Sequence, residues 1–68
     1  MPYISFESTK LEKEIKQKLI EQLTEISADI TGVPKKLFLV SIKEIPDDDM
    51  AVGGKTVREL KIINKTSN

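Results

Sequence analysis

The 68-residue sequence has no cysteine and no histidine. Their absence excludes a disulfide scaffold and a metal site ligated by Cys or His. It also excludes every mechanism built on a thiol or on a Ser-His or Cys-His pair. Net charge is missing too: 11 Lys+Arg balance 11 Asp+Glu. That balance argues against a nucleic-acid binder, which neutralises phosphates with a basic surface, and against a polybasic membrane-surface protein. No apolar run approaches the ~20 residues of a membrane span. The first residues form neither a charged leader nor an apolar signal segment. The expectation is a redox-indifferent cytoplasmic protein with no nucleic-acid or membrane partner.

A chain of this length has room for one small domain. Such a domain buries only about 60% of its unfolded surface. With neither disulfides nor metal to compensate, oligomerisation is the remaining common remedy.

Tyr3 to Glu7 alternates, with Ile4 and Phe6 on one face, and reads as a short strand. Thr9-Lys10-Leu11-Glu12 fits a capping box that opens a helix. Leu11, Ile15, Leu19, Leu23, Ile26 and Ile30 then recur every three or four residues, a helix of five to six turns. Gly32 suits the left-handed residue after its end, and Pro34 prevents continuation. Leu37 to Ile45 is the strongest strand signal; its first four residues are apolar on both faces. Pro46-Asp47-Asp48-Asp49 is a turn, Met50-Ala51-Val52 a short extended piece and Gly53-Gly54 a sharp turn. Thr56 to Ile63 fits a short strand or a helical turn equally. Residues 1–63 form one domain of α+β class, and 64–68 a flexible C-terminal tail. Strand, long helix, strand is a β-α-β unit with parallel strands. One helix covers only one face of this small sheet, so the other face and the open edges call for a second copy.

Pro2 is the residue with the clearest chemical potential. At a free N-terminus its secondary amine is a base joined rigidly to the backbone. Ordinary α-amino groups titrate near pH 7.7–8.0. An apolar pocket or a nearby cation lowers that value and makes a base that works near neutrality. The competing reading is a proline that merely happens to stand second.

Several segments in order decide between them. They are Met1-Pro2-Tyr3-Ile4 opening a strand, Gln17-Lys18-Leu19-Ile20-Glu21 in the helix, and Val33-Pro34 before the second strand. Glu44-Ile45 at that strand's end and Met50-Ala51-Val52-Gly53-Gly54-Lys55 complete the series. Together, from Pro2 to about Leu60, they resemble the 4-oxalocrotonate tautomerase family. The resemblance implies a β-α-β subunit with a C-terminal hairpin. It implies a homo-oligomer, a hexamer first and a dimer as fallback. It further implies a cofactor-independent isomerase whose processed amino-terminal proline moves a proton between carbons of a small 2-hydroxy-dienoate or enol acid. The resemblance implies that role for Pro2 here.

The sequence departs from the family where dicarboxylates are bound. Relatives that act on them place one arginine before the helix and another in the second strand, with an aromatic residue before the Gly-Gly turn. Here the first region reads Ser8-Thr9-Lys10-Leu11, Leu39 stands at the second arginine position, and Met50 replaces the aromatic. Arg58 is the single arginine. Lysine does not reproduce a guanidinium fork. Lys10, Leu39, Met50 and Arg58 are therefore the candidate substrate-contacting residues. The alternatives are a solvated Lys10, hairpin packing for Met50 and a surface turn for Arg58. Two other functions stay open: proline-dependent hydration, dehalogenation or decarboxylation, and a non-catalytic binding oligomer in which Met1 is retained.

Gly54-Lys55-Thr56 mimics the end of a phosphate loop, but Asp49 stands where that motif needs glycine. The Asp47-Asp48-Asp49 run lacks the spacing of a calcium loop. No metal site is expected.

Overall fold

The computed structural model describes residues 1–66, with side chains through residue 63. Strand β1 spans Tyr3–Ser8, helix α1 Lys13–Thr31 and strand β2 Leu39–Glu44. A hairpin follows, β3 (Ala51–Val52) and β4 (Lys55–Thr56), and then helix α2 (Val57–Thr66). β1 and β2 are parallel, in a register running from Tyr3 opposite Leu39 to Ser8 opposite Glu44. The ladder extends beyond both ends: the Leu39 N–H donates to the Pro2 carbonyl at 3.0 Å, and the Ile45 N–H to the Ser8 carbonyl at 2.8 Å. Ile4, Phe6, Val40 and Ile42 form the half-buried face over which α1 lies. Tyr3, Ser5 and Glu7 share the opposite face with Leu39, Ser41 and Lys43.

α1 ends as expected. Gly32 sits at φ 77°, and its N–H donates to the Ala28 carbonyl at 2.9 Å. That left-handed conformation is one glycine adopts without a Cβ penalty.

Three local expectations need correction. Thr9 does not cap α1: the helix starts after Glu12, with no side-chain capping bond. The capping box forms instead at Thr56-Val57-Arg58-Glu59. There the Glu59 N–H donates to Thr56 Oγ1 at 3.2 Å, and the Thr56 N–H donates back to Glu59 Oε1 at 3.2 Å. Consequently the ambiguous stretch from Thr56 is neither a strand nor a single turn, but a ten-residue helix. Lastly, β2 is shorter than its apolar run. Residues 35–37 close a 3-10 turn, with the Leu37 N–H on the Pro34 carbonyl at 3.0 Å. Of the segment 64–68, residues through Thr66 lie within α2, and 67–68 fall outside the described residues.

None of the described residues is fully buried. The radius of gyration is 15.8 Å and the extents are 46 × 22 × 19 Å, against roughly 11 Å for a compact chain of this length. The chain is elongated, and its described residues form no closed core.

Candidate active site

Pro2 stands one residue before β1. Its carbonyl accepts the first hydrogen bond of the parallel ladder, from Leu39, which fixes the backbone carrying its nitrogen. Leu39, 54% exposed, pairs with Tyr3 on the open sheet face. The Tyr3 hydroxyl reaches across to Ser41 Oγ at 2.8 Å. This end of the sheet holds aliphatic, aromatic and hydroxyl groups, with no ionised side chain at strand positions 3–5 or 39–41.

The other end is charged. Glu44 closes β2, and its carboxylate accepts from the Leu11 N–H at 2.8 Å and from Lys16 Nζ at 3.0 Å. The Leu11 hydrogen bond and then Lys16 hold the Glu44 carboxyl below its ordinary value. Glu44 thus ties the entry of α1 to the sheet. Lys10 lines a shallow groove here with Glu44, Ile45 and Pro46. Six strand residues separate the two ends, about 20 Å at ~3.3 Å per residue. One chain therefore brings Leu39 to Pro2 but leaves Lys10 at the far end.

Met50 and Arg58 belong to the segment after β2. Met50 is half-buried, and its carbonyl accepts from the Val57 N–H at 2.7 Å. The Arg58 guanidinium forks onto Asp48: Nε donates to Oδ1, and a terminal nitrogen donates to Oδ2 at 3.2 Å. Asp48 holds the guanidinium further above its ordinary value. The one arginine is thus engaged within its own chain.

The sequence pattern by itself gives no role to Glu44 as a tie to α1 or to the Tyr3–Ser41 pair. The parallel register was the missing information. Once Tyr3 is set opposite Leu39, Ser41 lies on the Tyr3 face and Glu44 lies beside the chain entering α1.

The family described as "Tautomerase enzyme" matches residues 2–60. The chain belongs to this tautomerase family. A crystal structure of an apo unfused 4-OT is 37% identical, with a TM-score of 0.83, covering 87% of this chain and 98% of that one. TomN, a 4-oxalocrotonate tautomerase homologue of the tomaymycin biosynthetic pathway, superposes with a TM-score of 0.86 at 26% identity, covering 90% and 95%. A heterohexameric 4-oxalocrotonate tautomerase from Chloroflexus aurantiacus J-10-fl gives a TM-score of 0.84 at 26% identity, covering 88% and 98%. A comparison with curated protein sequences gives no match. No helix among the described residues is long and apolar enough to cross a membrane.

Proposed function

We propose that the protein is a cofactor-independent tautomerase that isomerises a small 2-hydroxy-dienoate or enol acid, with Pro2 as general base after Met1 is removed. The observation that carries this reading is Pro2 itself, in a chain of the tautomerase family, with its carbonyl pinned by Leu39 at the uncharged end of the sheet. The free amine takes the enol O–H proton. The electron pair of that bond becomes the new C=O, the carbon–carbon double bond shifts, and the carbanionic carbon receives the proton back from the prolinium. Apolar surroundings disfavour the charged amine and keep it basic near neutral pH.

Leu39 and Met50 give the pocket apolar walls, and Lys10 is the cation for the substrate carboxylate. Lys10 is roughly 20 Å from Pro2 along its own sheet, so it serves the Pro2 of a neighbouring subunit. The protein works in this reading as a homo-oligomer, a hexamer built from three dimers or, as the fallback, a dimer. The unburied chain and its length support that assembly. With Arg58 engaged by Asp48, no guanidinium fork is left for a second carboxylate, and monoacid enols are the preferred substrates.

The test is Pro2→Ala in Met-free, assembled protein. Positioned general-base catalysis contributes about 10²–10⁴-fold, and kcat/KM for an enol acid such as phenylenolpyruvate is expected to fall by much of that range. Unchanged activity with an intact oligomer would rule the mechanism out.

A further inference from the structure

Lys10 sits on the connector between β1 and α1, residues 9–12, which belong to neither element. Among the described residues, the connector makes one hydrogen bond beyond itself and α1: the Leu11 N–H donates to Glu44 Oε2 at 2.8 Å. The other carboxylate oxygen, Oε1, accepts from Lys16 Nζ at 3.0 Å, and both side chains of that pair are 34% exposed. Lys10, beside the same carboxylate, makes no ion pair among the described residues. It stands exposed between two grooves, one shared with Glu44, Ile45 and Pro46, the other with Leu11, Glu12 and Lys13. Of the groups that hold the Glu44 carboxyl low, the Leu11 amide acts most, Lys16 next and Lys10 least.

We infer that Glu44 is the positioning residue for Lys10: it anchors the connector through the Leu11 amide and, with its other oxygen committed to Lys16, leaves the Lys10 ammonium free for the substrate carboxylate. The inference rests on the role given to Lys10 above and deepens it. A lysine is a point charge on a flexible four-carbon stem. One that reaches into a neighbouring subunit's pocket is steadied only by the backbone beneath it. Fixing that backbone lowers the ordering cost on binding. The carboxylate that does so is also a hazard, because an anion this close can capture the lysine and silence it. Lys16 removes the hazard. It reaches Glu44 from the first turns of α1 and occupies the oxygen that Leu11 leaves open. Glu44 therefore touches no reacting atom and acts through Leu11 and Lys10.

Kinetics on two substrates test this: phenylenolpyruvate and its methyl ester, which offers no carboxylate. Glu44→Leu removes the anchor. In assembled protein it should raise KM for the acid about fivefold, with kcat held and the ester shifted by less than about twofold. Glu44→Gln keeps an acceptor for the Leu11 N–H and should recover most of the acid KM. A merely structural Glu44 would shift acid and ester alike, and that result would overturn the inference. So would a Gln variant as impaired as the Leu variant. A second pair of variants does not depend on Glu44→Leu assembling. Lys16→Met and Lys13→Met each remove one positive charge from the start of α1. Lys16→Met also frees Oε1 to take Lys10, and should raise the acid KM about threefold, more than Lys13→Met does. Equal effects, or a larger one for Lys13→Met, would overturn the inference. Lys10→Met tells its failure from that of the reading beneath it. An unchanged acid KM in that variant removes Lys10 from the site. A raised one, with the Glu44 and Lys16 variants at the wild-type value, removes only the positioning role.

Discussion

Residues 3–44 and residues 46–66 are held by different forces. In the first segment a six-residue parallel ladder and a half-buried apolar layer of Ile4, Phe6, Val40 and Ile42 set the structure. In the second, the strands are two residues each, and α2 packs chiefly on the acidic turn and β4. Backbone and charged contacts dominate there: the Met50–Val57 bond, the Thr56–Glu59 box, and the Asp48–Arg58 and Asp47–Lys61 pairs. The first segment is specified by burial, which is hard to exchange residue for residue. The second is specified by local hydrogen bonding, which short segments can satisfy alone.

Mutations that sharpen this contrast differ in size. The largest effect is expected from Phe6→Ala. Removing a half-buried ring should cost roughly 2 kcal/mol, below the range for a fully buried one, seen as a lower urea midpoint for the whole chain. Thr56→Ala should cost about 1 kcal/mol through loss of the cap. It should appear as faster amide exchange confined to α2, with β1 and β2 unchanged. Faster exchange in both segments would erase the distinction.

Acid probes the seam between sheet and helix. Glu44 titrates lower in the folded chain than in the unfolded one. Its contribution is therefore fully present above the unfolded carboxylate value and is lost as pH falls through the folded one. Glu44→Gln should flatten that part of the stability–pH curve and lower the melting temperature at pH 7 more than at pH 3. The smallest effect belongs to salt. Arg58 and Asp48 are 62% and 60% exposed, and screening weakens exposed pairs. Raising NaCl from about 0.05 to about 0.5 M, which shortens the Debye length roughly threefold, should speed exchange in α2 slightly and leave β2 unaffected.

The sequence alone decided much of what depends on a short window. The period of α1, the glycine that stops it, the alternation in β1 and the Gly53-Gly54 turn all rest on near-neighbour sterics and hydrogen bonds. The order of segments was also sufficient for the family and for Pro2 as the candidate base. Even a local signal misled where it occurred twice. Thr9-Lys10-Leu11-Glu12 and Thr56-Val57-Arg58-Glu59 both spell a capping box, and only the second forms one; at the first the helix starts after Glu12, and Glu44 ties down the neighbouring Leu11 amide. That anchor is tertiary: it comes from a carboxylate 33 residues away along the chain. So do the distance of Lys10 from Pro2, the engagement of Arg58 by Asp48 and the face that α1 leaves uncovered. Each follows from how parallel strands bring remote segments into register, and a one-dimensional pattern carries no record of that register until the pairing is known.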